Sequence, residues 1–180
     1  LIHHGRIGRE NLGFASLAWA RKLGVPFVLT PFHHPRWVGW RYKKYLELYR
    51  EADHVFALTK SERVTLIDLG VAESRVSVLG HGPSVLPSAD GHKFRERYAL
   101  GSHPVILFLG QKYKYKGYES LLLAAAQVWE SSPEARFVFV GPRTQESEAV
   151  FSRVRDPRIL ELGSVALAEK CEALAACDLF

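Results

Sequence analysis

Methionine is absent from this 180-residue chain, cysteine occurs only twice, and no apolar run approaches the roughly 20 residues that cross a bilayer. Each absence removes a class. With no long apolar stretch and no signal-peptide pattern at the start, neither a membrane-spanning nor a secreted protein is indicated, and the cytoplasm is the expected compartment. Cys171 and Cys177 are too few and wrongly spaced for a disulfide framework or a zinc ribbon. No carboxylate or cysteine cluster stands at ligand spacing beside the histidines, so no metal is expected. No G-x-G-x-x-G follows the first β-like run with an acidic residue about 20 positions on, which argues against a dinucleotide-binding oxidoreductase. Solenoid-period repeats and low-complexity tracts are missing as well. The chain opens inside the strand-like Leu1-Ile-His-His4 and stops at Asp178-Leu-Phe180, where a further strand begins, so it reads as an internal piece of a longer protein.

What is present is ordinary for a globular protein, 47% hydrophobic and 24% charged, with a formal net charge of +5. A basic balance admits nucleic acid, acidic lipid or phosphorylated substrates as partners. Lysine and arginine are scattered, however, and gather only in Arg36–Lys44 and Lys112–Lys116. Apolar β-type runs occur at Phe27–Thr30, His54–Leu58, Val76–Leu79, Val105–Leu109, Phe137–Val140 and Ile159–Leu162. Between them lie segments of helical period, Glu10–Leu23, Trp40–Ala52, Lys60–Leu69, Tyr118–Trp129, Glu146–Arg155 and Ala166–Ala176. Gly24 and Gly70 close two of these helices. Strands alternating with helices predict parallel βαβ units and a layered α/β fold.

The rhythm breaks between Gly80 and Ser102, where Gly, Pro and Ser concentrate and a short amphipathic helix follows at about His92–Tyr98. This predicts one α/β domain over 1–82, a linker with its helix over 83–102, and part of a second domain over 103–180. The second domain opens on the most informative stretch, the strand Pro104–Leu109 running through Gly110-Gln-Lys-Tyr-Lys-Tyr-Lys-Gly117 into a helix. A helix start offers unpaired N–H groups and the positive end of the macrodipole, and lysines in the same loop add charge. The loop therefore reads as a phosphate cradle.

Four stretches, in order, carry a resemblance. Ala52-Asp-His-Val-Phe-Ala-Leu-Thr59 is similar to an AD-x-V-x-x-x-S/T strand, and Gly70-Val-Ala-Glu-Ser-Arg-Val-Ser-Val-Leu-Gly-His-Gly82 to G-V-x-x-x-K-I-x-V-I-x-N-G. Val105-Ile-Leu-Phe-Leu-Gly-Gln-Lys-Tyr-Lys-Tyr-Lys-Gly117 is similar to I-L-F-V-G-R-L-x-x-x-K-G; Phe137–Gly141, Leu162–Val165 and Ala176-Cys-Asp178 match later strands. The ordered set resembles the GT-B glycosyltransferases of family 4, the glycosyl transferases group 1. The resemblance implies two truncated Rossmann-like domains, the first for an acceptor and the second for a nucleotide sugar. It implies transfer of that sugar with retention of configuration, no cofactor, and a glutamate pair of the E-x7-E type beyond Phe180.

Carried onto this sequence, the resemblance places Lys116 on the donor pyrophosphate, with Gly110, Gln111, Lys112 and Gly117 in the same phosphate loop. Gln111 stands where relatives have arginine, which leaves open a replacement cation from Lys112 or Lys114, weaker phosphate binding, or a different subfamily. Gly141 and Val165 would approach the nucleotide. His34, ahead of its neighbour His33 in Thr30-Pro-Phe-His-His-Pro35, would stand near the transferred sugar, and Arg6 and Glu10 near the acceptor. His81-Gly82 and Gly5-Arg-Ile-Gly8 read as structural, and Arg143 as a solvated arginine at a helix start. The aromatic and basic Arg36-Trp-Val-Gly-Trp-Arg-Tyr-Lys-Lys-Tyr45 reads as a half-buried helix face. It suits a lipid-linked acceptor and peripheral contact at the inner face of a membrane, rather than nucleic acid. The competing readings are a non-catalytic GT-B-like binding module and, last, a basic nucleic-acid binder.

Overall fold

The structure, a computed structural model, describes residues 1–5, 10–33 and 42–180, and of Glu10, Tyr42 and Lys43 the backbone alone. The chain divides into two compact units, Leu1–Pro83 and Ser84–Phe180.

The first unit alternates β1 (Ile2–Gly5), α1 (Glu10–Leu23), β2 (Phe27–Thr30), α2 (Tyr42–Glu51), β3 (His54–Ala57), α3 (Lys60–Asp68) and β4 (Val76–Val78). All four strands are parallel, in the order β1-β2-β3-β4. Every residue of β2 is buried, as a strand covered on both faces must be. Phe27, Leu29, Val55 and Ala57 meet Tyr45, Leu48 and Tyr49 of α2 and Leu66 of α3 in one core. Gly24 (φ +61°) supplies the left-handed residue that turns α1 into β2.

The second unit follows with α4 (Gly91–Arg97), β5 (Val105–Leu109), α5 (Tyr118–Ser131), β6 (Arg136–Val140), α6 (Gln145–Phe151), β7 (Ile159–Leu162) and α7 (Leu167–Ala176). Its strands are parallel in the order β5-β6-β7, with a further parallel bridge from Ile106 to Leu179. Side chains alternate across this sheet with the strand period of two. Val105, Leu107, Val138 and Val140 point into one core with Ala173 and Ala176 of α7, whereas Ile106, Phe137 and Phe139 point into the other with Tyr118 and Ala125 of α5. Both faces are covered, which is what allows a parallel sheet.

Two sequence expectations are corrected here. The helix placed in a linker is α4, and it is packed into the second unit. Its Phe94 is fully buried with Leu100 and Val105, a burial worth roughly 1.5–3 kcal/mol. Gly91 lies so close to α7 that a Cβ on it would sit 2.4 Å from the Ala175 carbonyl oxygen. Arg95 then stitches α4 down, donating to the carbonyls of Ala176, Gly101 and His103 and to Asp178 at 2.8–3.0 Å. The helix expected to run to Arg155 stops at Phe151. Beyond it Arg153 and Val154 bond three residues back, and Arg155 donates to the Ser152 and Val154 carbonyls. Pro157 disfavours helical backbone at Asp156, so the helix has no continuation past this turn.

Candidate functional site

In an open parallel sheet the ligand edge is the one at the carboxyl ends of the strands. In the second unit each of those ends is a glycine, Gly110 after β5, Gly141 after β6 and Gly163 after β7. The ladder runs on through them, Gly110 N donating to Val140 O at 2.9 Å and Gly141 N to Gly163 O at 3.0 Å. Gly141 has φ +136°, and a Cβ there would lie 2.1 Å from the Gly110 carbonyl oxygen. Only glycine permits that approach.

Lys112 holds this edge together from beneath. Its side chain is fully buried, and Nζ donates to the carbonyls of Gly141 and Leu162, both at 2.6 Å, and to Glu161 Oε1 at 2.7 Å. An ammonium has three donors and no acceptor, so all three are occupied. Glu161 also takes the guanidinium of Arg143, with Nε and Nη2 each 2.9 Å from Oε2. Burial pushes the Lys112 ammonium below the usual lysine value, the Glu161 carboxylate opposes this, and Arg143 adds to it. The sequence expectation for Lys112 is therefore corrected: it ties three strand ends and has no donor left for a phosphate. Arg143, expected to be solvated, is half-exposed and ion-paired.

The rest of the loop faces outward. Lys114 is 71% exposed, with Nζ 3.7 Å from Glu119 Oε2. Lys116 ends a 3-10 turn over Lys114–Lys116 and rests its ammonium 5.3 Å from the ring centroid of Tyr115, which itself stacks on Tyr113 at 5.6 Å. Gly117 (φ +84°) is the N-cap of α5 and gives the first turn no side-chain acceptor. Gln111 is exposed, its carbonyl accepting from Tyr113 N.

Beside the glycine edge lies a cavity of about 330 Å³. Leu109, Val140, Pro142 and Val165 give it apolar walls, and Gly110 and Gly141 bring backbone to it. Gly110, Gly141 and Val165, far apart in sequence, thus meet at one cavity, whereas Gln111, Lys116 and Gly117 lie along the loop that leaves it. Ser164 and Lys170 also line the cavity, and sequence reasoning missed both. The available signal was position: a lysine in the first turn of α7, one loop after a strand end.

In the first unit, Arg6 and His34 lie outside the described residues, as do Gly8 and the Arg36–Arg41 segment, and Glu10 opens α1 with only its backbone described. His33 is placed. Its Nδ1 lies 3.2 Å from the Tyr49 hydroxyl, and its backbone N–H donates to Glu62 Oε1 at 2.7 Å. Glu62 Oε2 accepts from Leu58 N at 2.6 Å, so one carboxylate ties the loop after β2 to the loop after β3. Phe32 beside it holds φ +53°, left-handed backbone that costs a bulky residue about 1–2 kcal/mol. Glu62 was missed too, although Thr59-Lys-Ser-Glu62 spells a capping box, and Thr59 does accept from Glu62 N. Replacing Glu62 by alanine strands two backbone donors. The expected loss is about 2 kcal/mol, read as a lowered denaturant midpoint, with faster exchange of the His33 and Leu58 amides. An unchanged midpoint would show that the carboxylate does not hold the loop.

Among the described residues no three His, Cys, Asp or Glu side chains are grouped to hold a metal ion, and no helix is long and apolar enough to cross a membrane. Two family models match the chain: Glycosyltransferase Family 4 over residues 8–84 and Glycosyl transferases group 1 over residues 103–180. No curated protein matches significantly. Among solved structures, Anabaena Alr3699/HepE in complex with UDP-glucose is 18% identical, with a TM-score of 0.74 over 96% of this chain and 50% of that one. The α,α-trehalose 6-phosphate synthase of Burkholderia multivorans is 18% identical with a TM-score of 0.66, over 98% of this chain and 48% of the other. The chain spans about half the length of these structures. With one family model on each unit, in the expected order, and two parallel sheets flanked by helices, the chain belongs to the GT-B glycosyltransferases of family 4, the glycosyl transferases group 1.

Proposed function

We propose that the protein transfers a sugar from a nucleoside diphosphate sugar to an acceptor, with retention at the anomeric carbon. The observation that carries this reading is the different employment of the three lysines between Gly110 and Gly117. Lys112 is locked under the strand ends, Lys114 faces the Glu119 carboxylate, and Lys116 alone rests on a neutral, exposed ring. Its contact with Tyr115 is worth about 0.5–1 kcal/mol, less than a charge-assisted bond to a diphosphate returns. Lys116 is the cation free to move onto a leaving nucleoside diphosphate, beside the uncapped start of α5.

In this reading Gly110, Gly141 and Val165 receive the nucleotide, and Gln111 replaces a charge that relatives carry. His33 or His34 faces the transferred sugar, and Arg6 and Glu10 the acceptor, a sugar or a lipid-linked molecule. No cofactor is needed. The location is cytoplasmic, with peripheral contact at the inner membrane face through Arg36–Tyr45, and nucleic acid is not a partner. Retention rests on the family resemblance. HepE, solved with UDP and with UDP-glucose, supports a nucleotide sugar as donor. The exposed amide of Gln111 favours one second reading, a nucleotide-sugar binding module without turnover.

The test is a thermal-shift screen of the full-length protein against UDP-, GDP- and ADP-sugars. One of them is expected to raise the transition, by the equivalent of about 2.7 kcal/mol at a hundredfold excess over Kd. No shift with any would sink the donor assignment. A shift without sugar transfer or donor hydrolysis would select the binding module, and an inverted product would remove the retaining mechanism.

A further inference from the structure

The carboxyl edge of the first sheet is tied as well, but through side chains. Glu62 accepts from the His33 and Leu58 amides and so joins the loop after β2 to the loop after β3. A ring contact joins the same loop to the segment after β4: Phe32 meets His81 edge-on, with centroids 5.7 Å apart and planes at 76°. His81 follows directly on the strand end, where Leu79 N–H still donates to Ala57 O at 2.9 Å. Phe32 is also where the backbone is strained. Its φ of +53° is left-handed, a region in which a bulky side chain crowds its own backbone. A residue stays there only when its surroundings hold it. On one side of Phe32 stands the His81 ring. On the other, His33 is fixed twice, its N–H on Glu62 and its ring edge-on to Tyr49 at 5.9 Å.

We infer that Phe32 and His81 are positioning residues for His33, their ring contact holding the left-handed turn that aims the His33 N–H at Glu62. The inference rests on the reading above that His33 or His34 faces the transferred sugar, and deepens it. Released from His81, Phe32 relaxes toward ordinary negative φ and the chain rotates at its Cα. The His33 N–H then swings off Glu62, and the imidazole leaves the Tyr49 hydroxyl 3.2 Å from its Nδ1. Leu58 donates to the other oxygen of that carboxylate from a different loop, so its bond survives. Strain of this kind gathers where surrounding structure preorganises a site, and a small misplacement of a group near reacting atoms is costly in rate.

The experiment reads hydrogen exchange at the His33 and Leu58 amides of the full-length protein, with steady-state kinetics on the nucleotide sugar that gives the largest thermal shift. The variants are His81→Ala, His81→Phe, Phe32→Gly and the double Phe32→Gly/His81→Ala. Phenylalanine keeps a ring at position 81, and glycine takes positive φ with no ring to hold it. His81→Ala is expected to speed exchange at His33 at least about tenfold while Leu58 stays within about twofold, the mark of a local opening. With it kcat falls about tenfold while KM stays within about twofold, as when a group at the reacting centre is displaced. His81→Phe restores both. In Phe32→Gly, where the turn no longer depends on the ring, adding His81→Ala changes His33 exchange by less than about twofold. An unchanged His33 amide in His81→Ala would overturn the inference. Equal acceleration of His33 and Leu58 would overturn it too, because the whole edge would then have loosened. A freed His33 amide with unchanged kcat would leave the positioning intact and instead remove the placement of the histidines on the transferred sugar.

Discussion

Lys112→Met is expected to lower the stability of the second unit by about 2–3 kcal/mol, read as a fall in the denaturant midpoint with the slope unchanged. The opposing contributions can be weighed. Burying an ammonium is costly, and removing it relieves that cost; this is why pairs replaced whole by apolar residues are often neutral. Methionine, however, removes only one partner. The Gly141 and Leu162 carbonyls lose their 2.6 Å donor and Glu161 loses its nearest cation, and each stranded acceptor costs about 1–3 kcal/mol. Glu161 keeps Arg143, which holds the total below the 3–5 kcal/mol of a fully orphaned buried charge. A pH signature accompanies the loss. Because burial lowers the Lys112 pKa, the folded state holds that proton less tightly than the unfolded chain does. The lysine therefore contributes stability that rises as pH climbs through its lowered value toward about 10.5, and this alkaline component disappears in Lys112→Met. An unchanged midpoint would mean that Lys112 is not a tie and that its amine is available to a ligand.

Lys116→Ala is expected to reduce kcat/KM for the nucleotide sugar by about 10²–10³-fold, the size of effect that follows loss of one group stabilising developing charge. Lys114→Ala is expected to change it less than about threefold, because an exposed pair such as Lys114 with Glu119 is worth at most about 1 kcal/mol. The two variants differ by two positions and carry the same charge change, so a general loss of positive potential would affect them alike. Steady-state kinetics on both, with circular dichroism to show an intact fold, separate the cases. Equal losses would refute the assignment of Lys116 as the mobile cation.

The architecture was legible in the sequence because the strands are short, apolar and regularly spaced, and a parallel sheet buried on both faces leaves them little else to be. β2, β5 and β7 fall on the expected residues and α1 on its full expected span. What failed depended on partners distant in sequence. Nothing local in Lys-Tyr-Lys-Tyr-Lys separates Lys112 from Lys116; its inward turn is dictated by acceptors 29 and 50 residues away, on Gly141 and Leu162. The linker reading of α4 failed likewise, since Phe94 and Arg95 find their partners on α7 and at Asp178. Glu161 resembled any outward strand residue until two cations were seen on it. At the candidate site, the glycines and Val165 could be placed from strand ends alone, whereas Lys170 and Ser164 required the cavity.

The tied glycine edge has a consequence for motion. Glycine-rich loops ordinarily exchange their amide hydrogens quickly, because brief local openings expose them. Here the amides of Gly110, Gly141 and Lys112 all donate within the edge, and the lysine beneath joins the carbonyls of the next two strand ends. Opening any one segment disturbs the others, so these amides should exchange with the core strands as one cooperative unit, while Tyr113–Lys116 exchanges on its own. A donor nucleotide would then arrive at a floor already ordered, and the entropy lost on binding would fall mainly on the short turn that carries Lys116.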